Sequence, residues 1–234
     1  SSVSVLLATR YGWQMAYIVP GIVSLVAAVL FAKYVPKESA SPAKRKAKML
    51  DLPPSMMARV FFIMTCAAVT GSIIFNFTTN SNGEMLKARI AELAADPWLL
   101  SLVLFSVFTF ASLAQLIVGH LIDRHPIKTV YMPILLAQIP LFLFAAYSEG
   151  WMLVFATGLF MVFVFGAIPF TDAMIVRYVD DRMRSRVTGM RLAIGFGVSS
   201  LVVAGIGPSV KAAGFPFMLM SLAGVAACTM LAIS

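Results

Sequence analysis

Seven apolar stretches, each of roughly twenty residues, run through this chain and are separated by short polar loops. A helix of about 20 apolar residues is long enough to cross the hydrocarbon core of a bilayer. Charged residues make up 12% of the chain, against roughly 25% in a soluble domain. The sequence therefore predicts an all-α, polytopic membrane protein with seven transmembrane helices. Their expected ranges are residues 13–34, 57–79, 98–122, 130–147, 151–175, 187–210 and 215–234.

Composition divides the chain into three parts. Residues 1–34 hold the first span and, before it, SSVSVLLATR, which is typical of the tail of a preceding helix. Residues 35–56 form a basic linker rich in Pro, Ser and Lys, whose cationic cluster either rests on anionic lipid or is a solvated topology signal. Residues 57–234 form a six-helix bundle. We expect a fragment of a longer protein, because the chain opens inside a helix and stops without a polar tail.

The basic residues concentrate on alternate loops. One set of loops holds 14 of them, and the other set holds Arg10, Lys87, Arg89 and Lys211, which together account for all 18. Cytoplasmic loops collect Lys and Arg, so the first set of loops is predicted to be cytoplasmic. The net charge of +8 therefore indicates topology, and we do not expect nucleic acid as a partner.

The loop after the second span contains an amphipathic segment, residues 83–96. Leu86, Ile90 and Leu93 recur at helical spacing, with charged residues between them. This pattern predicts a short amphipathic helix that lies at the membrane interface.

The loop between the third and fourth spans reads GHLIDRHPIKT, residues 119–129. Gly119, Asp123, Arg124 and Lys128 resemble the signature loop of the major facilitator superfamily, although Pro126 and Ile127 depart from its usual pattern. The segments YGWQMAYIVPG and RSRVTGMRLAIGFG and the basic linker are similar to other parts of such transporters. The resemblance implies helices six to twelve of a twelve-helix transporter, that is a major-facilitator half-bundle with one extra helix. It also implies a missing N-terminal half as partner and a cell membrane, in bacteria the inner membrane.

Asp123 lies near the negative pole of the dipole of its own helix, where a cation is favoured and an acid is not. By the resemblance, such an aspartate contacts a helix end in the opposite half and holds the cytoplasmic gate shut. Gly119 would let helices approach closely. The alternative is that Asp123, Arg124 and Lys128 only fix the topology of a solvated loop.

Polar side chains form stripes on three predicted spans, which suits either a shared polar cavity or helix–helix packing. The stripes are Thr65, Ser72, Asn76 and Thr79; Ser101, Ser112, Gln115 and Gly119; and Thr188, Arg191, Gly195 and Ser199. The three amides Asn76, Gln115 and Gln138 are the candidates for a substrate or proton path.

Asp172 and Arg191 are ionisable groups inside the fifth and sixth spans. Charged groups within membrane helices are costly and usually pair or face a water-filled path. The two residues form either a structural ion pair or a proton-coupled switch, since a carboxylate that loses its cation takes up a proton more easily. The charged connector that follows Asp172, residues 177–186, is expected to be solvated.

The resemblance implies a secondary active transporter that moves a small solute by alternating access, with a proton as coupling ion. No catalytic motif, metal-ligand spacing or phosphate-binding loop is found, so we expect neither enzymatic activity nor a cofactor. A transporter-like membrane sensor or scaffold is the alternative, and a membrane-embedded enzyme is a weaker one.

Overall fold

The computed structural model describes residues 7, 11–35, 54–179 and 181–233. Within these residues the protein is 94% helical and contains no strand. The helices are α1 (Met15–Tyr34), α2 (Pro54–Arg89), α3 (Ala91–Ala95), α4 (Pro97–Arg124), α5 (Ile127–Tyr147), α6 (Gly150–Gly166), α7 (Ile168–Tyr178) and α8 (Asp181–Ile233). The cationic cluster of the predicted linker (Lys44, Arg45, Lys46 and Lys48) lies outside the described residues.

Six helical segments of the described chain are long and apolar enough to cross a membrane. They are Met15–Tyr34, Phe61–Arg89, Pro97–Arg124, Ile127–Tyr147, Gly150–Tyr178 and Met183–Ile233. The prediction of an all-α, multi-pass membrane protein is thereby confirmed. The finer prediction, a major-facilitator half-bundle, stays a prediction.

The last segment has 51 residues and contains both of the final two predicted spans. At 1.5 Å per residue it would measure roughly 75 Å if straight, more than twice the hydrocarbon thickness. The chain instead leaves helical geometry at Gly214, where φ is 75° and ψ is 165°. Val187 and Ile233, from the two ends of α8, pack on the same core, so the chain reverses direction at Gly214.

Two hydrophobic cores lie at opposite ends of the bundle. The first surrounds Phe142 and Phe160, at the end where the loops at Ile90 and Ser148 and the turn at Gly214 are found. The second core contains Ile122, Ile127, Tyr131, Phe170 and Val179, beside the loops that follow α4 and α7. The second end carries the loops that the basic residues predict to be cytoplasmic. α1 contributes to neither core, because none of its residues is buried.

The fifth predicted span has a break in its helical hydrogen bonding at Ala167, between α6 and α7. Ala167 itself keeps right-handed helical angles (φ −76°, ψ −17°), so Gly150–Tyr178 still runs as one spanning segment. Pro169 lies in the first turn of α7 and has no N–H to donate to the preceding turn, which accounts for the break. Gly166, the last residue of α6, packs close to α4: a Cβ built there lies 3.2 Å from Cγ2 of Val118.

The prediction of one short helix over residues 83–96 is wrong in its extent, and its place at the membrane interface stays a prediction. α2 continues to Arg89, and the chain breaks only at Ile90, which is extended before the short helix α3. Leu86 and Leu93 are fully buried in the first core. The apolar face of this segment therefore packs on the bundle.

Candidate functional site

A cavity of about 350 Å³ lies between α2, α5, the break between α6 and α7, and α8. Its volume is at the lower end of the range of small-molecule pockets. It is lined by Ala67, Ala68, Thr70, Gly71, Ser72, Ile74, Phe75, Asn76, Tyr131, Leu135, Gln138, Val164, Ala167, Ile168, Thr171, Arg191, Leu192, Gly195, Phe196 and Ser199. Most of these side chains are apolar or small, so the polar ones determine what the cavity can recognise.

Asn76 joins two of the predicted polar stripes. Its Nδ2 donates to Oγ of Ser199 on α8 at 2.7 Å and to the carbonyl of Ser72 at 2.9 Å. Gly195 on α8 faces the same region of α2, because a Cβ built there would lie 3.4 Å from Oγ of Ser72. The stripes on the second and sixth predicted spans therefore meet at the cavity.

Asp172 and Arg191 form the predicted ion pair. An Nη of Arg191 lies 2.6 Å from Oδ1 of Asp172 and donates to Oγ1 of Thr171 at 2.7 Å. The Arg191 side chain is 22% exposed and the Asp172 side chain 60% exposed. The guanidinium is thus held by two consecutive residues of α7, and Thr171 was missed by the sequence reasoning.

Gln138 is buried in the wall of the cavity. Its Nε2 donates to the carbonyl of Phe163 on α6 at 3.1 Å, four residues before the break at Ala167. Its Oε1 is buried and has no hydrogen-bond partner within the described part of the chain. A buried polar atom is normally paired, so this oxygen is an exception in the wall of the cavity.

Tyr131 is the functional candidate that the sequence reasoning overlooked. It lines the cavity, is 3% exposed, and stacks on Phe170 with ring centroids 3.4 Å apart. Tyr131, Leu135 and Gln138 follow the spacing i, i+4, i+7 and so occupy one face of α5. That spacing was a signal in the sequence, but it was obscured because α5 is apolar on most sides.

The stripe predicted on the third span does not face the cavity. Gln115 is half-buried and Ser112 is exposed on α4, and neither lines the cavity; the same is true of Ser101 and Gly119. On α2, Thr65 is exposed and Thr79 bonds to the carbonyl of its own helix at Phe75, so neither of them lines it. Of the three predicted amides, the structure brings together Asn76 and Gln138 but not Gln115.

The signature loop lies at the end of the bundle that holds the second core. Asp123, Arg124 and Lys128 are exposed. Gly119 has open space around it, since a Cβ built there would meet no described atom within 4 Å. The close helix approach predicted at Gly119 is therefore absent from the described residues.

Arg177, at the end of α7, binds this loop. Its Nη2 donates to the carbonyl of Ile122 at 2.5 Å and approaches that of His125 at 3.5 Å. These carbonyls lie at the C-terminus of α4, where a cation is favoured by the helix dipole. Arg177 is exposed, as expected of a solvated connector, but it also ties α7 to the end of α4.

No group of three or more His, Cys, Asp or Glu side chains in the described residues is placed to hold a metal ion. Cys66 and Cys228 are free cysteines. Comparison of the chain with protein-family models, with curated proteins and with solved structures finds no match.

Proposed function

We propose that this chain is the solute-binding part of a secondary active transporter of the major-facilitator type, working by alternating access with a proton as coupling ion. The observation that carries the proposal is a cavity between membrane-spanning helices that is lined by a charged residue, Arg191, and by a hydrogen-bonded amide, Asn76. Arg191 pairs there with Asp172, which lies outside the cavity lining. Polar and charged groups inside spanning helices are costly and mark pathways for substrates or ions.

The arrangement of α7 supports the gating part of the proposal. α7 is a helix of 11 residues that is separated from α6 by the break at Ala167. It holds Arg191 near its first turns and, through Arg177, the end of the signature-loop helix at its last turn. A movement of α7 at the cavity would therefore be transmitted to the loop that carries Asp123.

The remaining parts of the proposal rest on the resemblance of the sequence. They are a bacterial inner-membrane location, a gating role for Gly119, Asp123, Arg124 and Lys128, and an N-terminal half that faces the exposed side of the bundle. The exposed position of Asp123 supports this, because an acid without an ion-pair partner in the described residues is accessible to a partner helix.

The test measures access to the cavity from each side of the membrane, and so needs no knowledge of the solute. Ser199, which lines the cavity, is replaced by cysteine in the full-length protein after Cys66 and Cys228 are replaced by alanine. A membrane-impermeant maleimide is then applied to right-side-out and to inverted vesicles. A carrier is expected to be labelled at position 199 from both sides, because the cavity opens to each in turn.

The controls are cysteines at Lys128 and at Lys87, which lie at opposite ends of the bundle and should each be labelled from one side only. Asp123→Asn should raise labelling of position 199 from the Lys128 side by about fivefold, the effect of roughly 1 kcal/mol on the gate. Labelling of position 199 from one side only, with and without this substitution, would favour the sensor or scaffold and reject the carrier.

A further inference from the structure

We infer that the cavity binds a small monocarboxylate with an apolar body, and that Arg191 holds the carboxylate through two parallel hydrogen bonds. This inference rests on the proposed function and names the class of solute. Its basis is that Arg191 lines the cavity of about 350 Å³ and keeps N–H groups that have no partner among the described residues.

The contacts of Arg191 with α7 use a single nitrogen of the guanidinium. Nη1 lies 2.6 Å from Oδ1 of Asp172 and 2.7 Å from Oγ1 of Thr171. Nε and Nη2 make no hydrogen bond within the described part of the chain. Neither of them is among the fully enclosed polar atoms that lack a partner there, in contrast to Oε1 of Gln138, so both remain accessible.

The two accessible nitrogens of Arg191 form one edge of the planar guanidinium. The N–H groups of Nε and Nη2 on this edge point in the same direction, which matches the two oxygens of a carboxylate. Thr171, which accepts from Nη1, also lines the cavity, so the guanidinium lies at the cavity wall. The group that this part of the wall binds best is therefore a carboxylate.

The pair with Asp172 leaves Arg191 able to hold a second anion. The side chain of Asp172 is 60% exposed, so water solvates its charge and weakens its attraction for the guanidinium. Among the described residues that line the cavity, Arg191 is the only Asp, Glu, Lys, Arg or His. A dianion would bring a second charge against a wall with no further cation to pair with it, which is costly. One cation with one free edge therefore selects a monoanion.

The rest of the wall favours an apolar body behind the carboxylate. Phe75, Leu135 and Phe196 line the cavity together with small residues of α2 and α8. Removing a hydrocarbon group from water against such a wall is favourable, and small-molecule sites commonly combine an apolar wall with a few polar groups. A carboxylate on an aromatic ring matches this combination.

Benzoate, benzamide and acetate are the probes that test the inference. Benzamide has nearly the shape of benzoate without its charge, and acetate has the carboxylate without the ring. Binding to the full-length protein in an uncharged detergent is measured by ligand-observed NMR, with empty micelles as the reference for partition. Salt at about 0.15 M screens the attraction of benzoate to exposed basic residues. Benzoate should bind about tenfold more tightly than either other probe, the equivalent of about 1.4 kcal/mol.

Three variants locate the binding. Arg191→Gln removes the cation and should abolish the preference for benzoate over benzamide. Arg186→Gln is the matched control and should keep that preference, because Arg186 lies on the same helix but is exposed and outside the cavity lining. Gly71→Leu should abolish binding of both probes, because Gly71 lines the cavity and a Cβ built there meets no described atom within 4 Å. The comparison of the probes on the unsubstituted protein stands even where a variant fails to fold.

Equal affinities for benzoate and benzamide, equal affinities for benzoate and acetate, or no saturable binding of benzoate would each overturn the inference. A preference for benzoate that persists in Arg191→Gln, or that is lost equally in Arg186→Gln, would also overturn it. The access experiment with position 199 is independent of these outcomes. Two-sided access without a preference for benzoate would reject the inference alone. One-sided access together with that preference would reject the carrier and leave a binding site for a carboxylate.

Discussion

Arg89 stabilises the end of α5, and replacing it by methionine tests how much one guanidinium contributes to the fold. One Nη atom of Arg89 donates to the carbonyl of Ser148 at 2.9 Å, and both Nη atoms donate to the carbonyl of Ala146, at 3.2 and 3.3 Å. One of them also approaches the carbonyl of Ala145 at 3.4 Å. The last carbonyls of a helix have no partner within the helix itself. Arg89→Met removes the cation that satisfies them.

The expected loss follows from the number and type of these bonds. Hydrogen bonds that involve a charged group contribute roughly 1.5–3 kcal/mol each, and the lower value applies because Arg89 is only half-buried. Two such bonds at a helix C-terminus give about 2–3 kcal/mol in the free energy of unfolding. This lowers the ratio of folded to unfolded protein by roughly 30- to 150-fold.

The assay is unfolding by dodecyl sulfate in mixed micelles, followed by tryptophan fluorescence. Trp151 reports on the affected end of the bundle, because its Nε1 donates to Oε2 of Glu92 at 3.0 Å. Lys87→Met is the matched control: its pair with Glu84 is 3.0 Å long, but the two side chains are 42% and 71% exposed. An exposed pair of this kind contributes about 0–0.5 kcal/mol.

Arg89→Lys separates the charge from the geometry, since lysine keeps the cation but cannot bridge several carbonyls with a planar fork. We expect it to recover less than half of the loss. A change in unfolding free energy of the Arg89→Met protein no larger than that of the Lys87→Met protein would refute the reasoning.

Two further predictions concern the packing of α6 and the hold of α7 on the signature loop. Gly166→Ala should lower the unfolding free energy by about 1 kcal/mol, because the added Cβ would press on Val118. Gly158→Ala on the same helix has open space around the added Cβ and should raise the unfolding free energy by about 0.5 kcal/mol. Equal shifts in the midpoint of dodecyl sulfate unfolding for the two variants would contradict this. Arg177→Met should release the carbonyl of Ile122 and speed amide hydrogen exchange in residues 123–129 by about tenfold, as loss of one charged hydrogen bond implies. Unchanged exchange there would show that Arg177 does not order the loop.

The sequence predicted the class of the protein well, because apolar length and charge spacing depend little on tertiary detail. The Asp172–Arg191 pair was also predictable from the sequence. An unpaired charge inside a membrane span is costly, so opposite charges in two consecutive spans are expected to pair. Gln115 was not predictable, since a helical period shows which residues share a face but not which neighbour that face meets.

The break at Ala167 shows a second limit of the sequence. Pro133 and Pro140 lie inside α5, which continues through both, whereas Pro169 coincides with a division of its span into two helices. Whether a proline only bends a membrane helix or breaks it depends on what satisfies the freed carbonyls, and that is decided by neighbouring helices. For the same reason Arg177 could not be assigned from sequence: its partner is a carbonyl, which any residue provides.

The turn at Gly214 has a consequence for mapping the topology of this protein. Two long helical runs meet there with a single non-helical residue between them, and its φ of 75° and ψ of 165° suit only glycine. The turn at Gly214 therefore presents no loop long enough for a protease to cleave or an epitope tag to occupy. A tag inserted at this turn would separate the hairpin into two independent segments. The absence of a signal from a probe directed at this turn therefore carries no information about the orientation of the chain in the membrane.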